Sequence, residues 1–464
     1  MADKHAVIWT NVTGSPVKMG DLIVTPEQTR FSYHEDFLAQ NNPNGLSLLS
    51  SPQLFSSDPV IYYAKDLLPM HPRLISLIPG NGRNNIQRRI YTRVLDKNDY
   101  DIAAGFDTDW ELLLLAGHNG IGHIDIFRDD RVAENWYETK AEHHEIIGKR
   151  SNFWQSIKQD IQDISTNDPD TYDLESEDIV ELLGPTPSVG GMIPKLLVAI
   201  PDTQNWNGGF AAPGTQQVQQ QKYVDVLLKI EPREYQGVSA LEACCLDWHK
   251  KLDFRVPRYW RTKLDGLNLL AVERFDRTED GTPIPMESFF SVFASGDKNF
   301  QETADTDLQE IGDRIMKLAS VVNMDTNSIR QEIYKRFIVA FFTGNGDMHL
   351  ENLSFLGGPN KVELAPVYDP APMRAWPQHN TRSAIPINFD RDIGGILENL
   401  IAVGTSFGFS LNEAKEQFFH YEQATRHYAN NIMALDDVPE QRRTNLHNVL
   451  QQERQLLKLP VLKL

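Results

Sequence analysis

The chain has 464 residues, 41% of them hydrophobic and 23% charged, which is ordinary for a globular protein and enough to bury more than one core. Its net charge of −19 argues against direct contact with a phosphate backbone, and no apolar run reaches the ~18 residues of a membrane span. The two cysteines, Cys244 and Cys245, are adjacent and suggest neither a disulfide framework nor a zinc site; "MADKHAVIWT" lacks a signal-peptide pattern, so a reduced, cytoplasmic chain is expected.

Residues 5–35 alternate apolar and polar positions around turn residues, which predicts short antiparallel strands, and "GLSLLS" (45–50) extends the pattern. "DPVIYYAKDLLP" (58–69) reads as a helix ended by Pro69 and Pro72. "ELLLLAGHNGIGHIDIF" (111–127) is an apolar run, a glycine turn and a strand. The glycines of that turn lie far ahead of any partner motif, so they are read as structural. Residues 135–184 are acidic and helical in pattern. "TPSVGGMIPKLLVAIPD" (186–202) is a glycine turn entering a strand, and "NWNGGFAAPGTQQVQQQ" (205–221) is a loop too irregular for a core. "KYVDVLLKI" (222–230) is a strand, "GVSALEACCLDWHKKL" (237–252) a helix, and "LNLLAVERFD" (267–276) another strand. Beyond residue 300 the pattern is helical. Ile333, Phe337, Ala340 and Phe341 share one helix face, and Ala414, Phe418, Tyr421, Tyr428, Ile432 and Leu435 form a second stripe. A strand-rich half before a helix-rich half predicts an α+β fold.

Chemistry concentrates in a few stretches. In "GDMHLEN" (346–352), Asp347 and Asn352 are five apart, the spacing at which kinases place a hydroxyl-accepting Asp and an Mg²⁺-holding Asn. On one helix the two would diverge by ~140°, so the motif needs an irregular loop, which Gly344 and Gly346 permit. Asp369 follows the apolar "LAPVY", as a second metal-binding carboxylate does in kinases. Lys229 lies in an apolar strand and needs a partner; Glu242 on the next helix is the candidate. Gly190 and Gly191 let backbone approach phosphate oxygens closely, although the stretch is not a Walker A motif. No HExxH, GxSxG or GxGxxG pattern competes.

These residues resemble the HipA-like serine/threonine kinases, the toxin members of bacterial toxin–antitoxin pairs. "LAVERFDR" (270–277) is similar to that family's hinge, "GDMHLENLSF" to its catalytic loop, "LAPVYD" to its metal-binding strand, and "DLLPMHP" and "GHNGIGHIDIF" to its first subdomain. The resemblance implies a two-lobed protein-kinase-like fold with an extra N-terminal α+β subdomain (1–130), an N-lobe (131–277) and an all-helical C-lobe (278–464). It implies ATP and Mg²⁺ as cofactors. Asp347 would be catalytic, Asn352 and Asp369 would bind metal, and His349 would brace the loop. ATP would meet Ser188, Val189, Gly190, Gly191, Lys195, Lys229 and Glu242, with backbone groups of Glu273 and Phe275 at the adenine. Ser188 corresponds to the family's autophosphorylated residue, an off switch. "SVGGMIPK" departs from the usual Ser-Val-Ala-Gly-x-Gln-x-Lys: Gly190 replaces Ala, and Pro194 removes a donor. A HipB-like helix-turn-helix antitoxin is the implied partner, with DNA reached only through it, and a protein substrate such as an aminoacyl-tRNA synthetase. A catalytically weak co-repressor and a small-molecule kinase remain alternatives at this stage.

Overall fold

The computed structural model describes residues 3–63, 69–80, 88, 91, 92, 95, 105–139 and 193–462. The chain forms two compact units. One comprises Met1–Glu234, Arg258–Glu287 and Ser291–Asn299; the other comprises Tyr235–Pro257, Ser288–Phe290 and Phe300–Leu464. No helix among the described residues is long and apolar enough to cross a membrane.

The first unit begins with an antiparallel sheet of β1 (Lys4–Thr10), β2 (Val17–Val24), β3 (Thr29–Tyr33), β4 (Val60–Tyr62) and β5 (Ile124–Phe127), in the order β4-β3-β2-β1-β5. The alternation expected for residues 5–35 holds, since Ile8, Met19, Leu22, Val24 and Phe31 are all fully buried. Two expectations fail. Residues 60–62 form a strand rather than a helix, because Val60 and Ile61 are β-branched and follow Pro59. "GLSLLS" makes a 3-10 turn, Leu48–Ser50; the Ser47 hydroxyl caps it by accepting from the Leu49 N–H at 3.3 Å.

A second antiparallel sheet contains β6 (Lys195–Pro201), β7 (Gln217–Val218), β8 (Gln221–Ile230), β9 (Tyr259–Leu264) and β10 (Leu267–Glu273), ordered β6-β8-β10-β9 with β7 on β8. Val198, Ile200, Val226, Leu228, Leu269 and Ala271 line one face and join the same core as Ile8, Met19 and Phe31. Residues 205–221, expected to contribute nothing to a core, bury Trp206 and Phe210 in it. The Trp206 indole N–H finds the Gly209 carbonyl at 2.7 Å, which makes its burial affordable.

A charged lock holds the glycine turn of residues 117–122. Arg274 donates to the carbonyls of Asn119 (3.0 Å) and Gly120 (2.6 Å), Arg277 to those of Gly120 and Gly122 (both 2.8 Å), and Arg73 to that of Ile121 (2.7 Å). Asp276, 1% exposed, binds Arg274 and Arg277 at 2.8 Å each and accepts from the Gly122 N–H at 2.9 Å. Gly122 has a φ of +84°, and a Cβ there would lie 2.8 Å from the Met286 carbonyl oxygen, so no larger residue fits. Burial alone would raise the Asp276 carboxyl. The Arg274 and Arg277 charges, with hydrogen bonds from Arg274 and Gly122, outweigh it and hold the group well below the usual carboxylate range.

The second unit is built mainly from helices. Thr326–Thr343 is central, with Ile333, Phe337, Ala340 and Phe341 buried as expected. It packs against Leu411–Ala424, Leu308–Leu318 and Ile396–Ser406. The stripe from Ala414 to Leu435 is broken into two helices, Leu411–Ala424 and Tyr428–Met433. This half also contains a small antiparallel pair, Ser354–Leu356 with Glu363–Leu364.

Replacing Asp276 by Ala strands two buried guanidiniums and should cost about 3–5 kcal/mol in urea unfolding at pH 7. Because the folded carboxyl titrates below its unfolded value, its contribution is fully present at neutral pH. The gap between wild type and variant should therefore shrink as pH falls below about 4. A gap under about 1 kcal/mol at pH 7, or one insensitive to acid, contradicts the lock.

Candidate active site

The helix Thr326–Thr343 stops at Gly344, whose φ of 81° lies in the left-handed region. Asn345 closes the end, its N–H donating to the Ala340 carbonyl at 2.9 Å and its Oδ1 accepting from the Asp347 N–H at 3.0 Å. The Asn352 side-chain Nδ2 then donates to the Asp347 carbonyl at 2.9 Å, and the Asn352 N–H donates to the His349 carbonyl at 3.0 Å. Residues 347 and 352 are thus tied across the loop. His349 Nδ1 accepts from the Glu351 N–H at 3.2 Å, a contact inside the same turn. Met348, Leu350 and Leu353 are buried, while Asp347, His349 and Asn352 are half-buried. The apolar residues anchor the loop and leave the polar ones at its surface. With its nitrogen engaged, Asn352 keeps Oδ1 for a ligand.

Downstream, the strand expected to run up to Asp369 is short. It covers Glu363–Leu364, and residues 365–368 continue as irregular chain fixed by other means. Arg336 Nη2 donates to the Ala365 carbonyl at 2.7 Å, and the Val367 N–H donates to the Arg255 carbonyl at 2.8 Å. The Tyr368 hydroxyl donates to the Glu351 carbonyl at 2.7 Å and lies 2.6 Å from Ser354 Oγ, so it joins this segment to the loop. Burial pushes that hydroxyl's pKa up, so it stays protonated. Asp369 follows with a φ of 52°, an uncommon conformation outside glycine that Asp tolerates.

Among the described residues, no group of three or more His, Cys, Asp or Glu side chains could hold a metal ion. The candidate donors are of another kind, the Asn352 amide oxygen and the Asp369 carboxylate. Both are hard oxygen ligands that suit Mg²⁺ when substrate and water complete its shell. Glu242 is buried on the helix Val238–Lys251 of the same unit.

In the first unit, Lys195 and Lys229 are directly opposite across β6 and β8. They are 6% and 2% exposed, on the sheet face away from Val198 and Leu228. Opposed residues share a face, so the register sets the two lysines side by side, with the fully buried Leu270 opposite Lys229 on the next strand. Glu273 is committed more than expected. Its N–H donates to the Arg258 carbonyl at 2.9 Å, and its carboxylate takes Arg258 Nη2 at 2.7 Å and Nε at 2.9 Å. Only its backbone carbonyl is therefore a candidate to meet a base. Phe275, two residues on, is half-buried. Ser188, Val189, Gly190 and Gly191 lie outside the described residues.

Reading along the chain missed Tyr368 and Arg374. Arg374 supports the loop from a distance: its N–H donates to the Gly344 carbonyl at 3.2 Å, and its Nη2 pairs with Glu453 at 2.7 Å. Neither carries a local signal, because each acts on residues far away in sequence.

Residues 187–435, more than half of the chain, match the HipA-like C-terminal domain family. A Haemophilus influenzae protein named "Putative kinase" is 28% identical over 208 residues, 43% of this chain and 57% of that protein. A Sinorhizobium fredii protein, "Putative kinase Y4dM", is 24% identical over 157 residues, 31% of this chain and 36% of that protein. The chain thus spans a little over half of the first curated relative and about a third of the second. A solved Shewanella oneidensis MR-1 structure, the toxin–antitoxin complex of HipA, HipB and operator DNA, aligns with a TM-score of 0.60 at 16% identity. It covers 98% of this chain and 100% of its own, so the fold is shared.

The loop's position rests on Gly346, where a Cβ would lie 1.9 Å from the Thr381 carbonyl oxygen. Gly346→Ala should lower stability by about 1–3 kcal/mol and speed amide exchange across 344–352. Unchanged exchange in that segment contradicts the packing argument.

Proposed function

We propose a protein kinase activity for this chain, which belongs to the HipA-like C-terminal domain family. The γ-phosphoryl group of ATP passes to a serine or threonine hydroxyl of a protein. The hydroxyl oxygen forms the new bond to phosphorus, the bond to ADP breaks, and Asp347 takes the proton. The observation that carries this reading is the loop 344–352, in which the Asn352 amide nitrogen pins the Asp347 backbone while both side chains stay at the loop surface. The kinase names of the two relatives support it.

In this reading Lys195 and Lys229 serve the phosphates. The register that sets these two lysines opposite each other on one sheet face supports this reading, since kinases direct a strand lysine at the nucleotide's phosphates. The Glu273 carbonyl with the Phe275 backbone receives the adenine. Asn352 and Asp369 hold Mg²⁺, which when bound neutralises charge on the β- and γ-phosphates. The family and the HipA–HipB–DNA neighbour support a further step: a toxin neutralised by a helix-turn-helix antitoxin, reaching DNA through that partner. A chain of net charge −19 suits that indirect route.

Asp347→Asn should lower ATP-dependent phosphorylation of serine or threonine by about 10²–10⁴-fold while circular dichroism is unchanged. Near wild-type transfer would sink the assignment. Phosphate on Ser188 would add about −1.5 to −2 charges beside the nucleotide and switch the enzyme off. Mass spectrometry after incubation with Mg-ATP should find that peptide phosphorylated as activity decays; an unmodified peptide during decay argues against the switch.

A further inference from the structure

Within the second unit, the segment after Asp369 and the helix Glu440–Leu456 line an open pocket of ≈ 610 Å³. Arg374 lines it and is 4% exposed. Its Nε donates to Asn380 Oδ1 at 2.9 Å and its Nη2 to Glu453 Oε1 at 2.7 Å, but among the described residues nothing accepts from Nη1. Ser383 Oγ, on the same wall, is likewise buried without a partner among the described residues. Arg382 Nε contacts both Glu453 oxygens at 2.9 Å, so that carboxylate is shared between two guanidiniums.

These groups define a ligand. A buried guanidinium nitrogen and a buried hydroxyl without partners cost free energy that an acceptor would recover. Two arginines against one glutamate leave a single positive charge, which excludes a cation and matches a monoanion. Beside Thr381 and Gln452, the lining is apolar at Ile385, Ile387, Phe389 and Leu456, and Phe389 and Leu456 lie 45% and 46% exposed. We propose that this pocket binds a carboxylate carried on an apolar stem, the group that an acidic residue among apolar neighbours presents on a partner polypeptide. The site uses none of the nucleotide or phosphoryl-transfer residues and does not rest on the kinase reading. It adjoins that loop, since Arg374 and Thr381 hold the backbone of Gly344 and Gly346.

The test is calorimetric titration of the full chain with 3-phenylpropionate and with its uncharged amide, without nucleotide. The acid should bind saturably and about tenfold or more tighter than the amide, the effect of one charge-assisted hydrogen bond. Ser383→Ala should weaken the acid about threefold to tenfold. Arg374→Gln should bring acid and amide to parity. Equal binding of acid and amide by wild type, or wild-type affinities in both variants, overturns the proposal. Should Arg374→Gln fail to fold by circular dichroism, Arg382→Ala decides in its place. Arg382 is 43% exposed at the pocket mouth, and its loss cancels the net positive charge. That variant should lose the preference for the acid, and a preference kept in both Arg382→Ala and Ser383→Ala overturns the proposal.

Discussion

The first unit depends on the Asp276 carboxylate held between Arg274 and Arg277. The turn at 119–122 offers four carbonyls toward the interior, and a buried carbonyl without a donor is expensive. Three arginines supply the donors, and one buried aspartate makes two of those arginines tolerable. Each part would be destabilising alone, because a guanidinium or a carboxylate out of water needs its counterpart. Together they set where β10 ends and therefore where the backbone at Glu273 and Phe275 lies. A stretch read by resemblance as nucleotide-binding hinge is also the clamp on the N-terminal sheet.

Local patterns were readable and long-range ones were not. The alternation of β1 to β3, the apolar run of β8 and the i, i+4, i+7, i+8 face of Ile333 to Phe341 declare their structure within a few residues. Val60–Tyr62 is a strand that its helix-like sequence neighbours conceal, because its β-branched stretch is only two residues long. Trp206 and Phe210 were overlooked because glycines and glutamines surround them, although a core takes single large side chains from a loop as readily as from a strand. The stripe from Ala414 to Leu435 kept its helical spacing across a chain turn that breaks the helix.

The site divides the same way. Asp347, Asn352 and His349 were visible because the hydrogen bonds that order them span five residues or fewer. Tyr368, Arg336 and Arg374 fix the same region through contacts 17, 29 and 79 residues distant in sequence, which no spacing rule reaches. Lys195 and Lys229 fall between these cases. Lys229 is legible as a cation in an apolar strand and Lys195 only through the resemblance, and only the strand register makes them opposite neighbours on one face.

The contact of Gly346 with the Thr381 carbonyl has a consequence for how such a protein can diverge. With no side chain between them, two backbones separated by 35 positions behave as one mechanical body. Neither the turn bearing Asp347 nor the stretch bearing Arg382 can be remodelled by itself, since any shift in one must be matched by the other. Variation in this region is therefore expected to come in correlated pairs, and a segment grafted from a relative would have to bring both backbones with it.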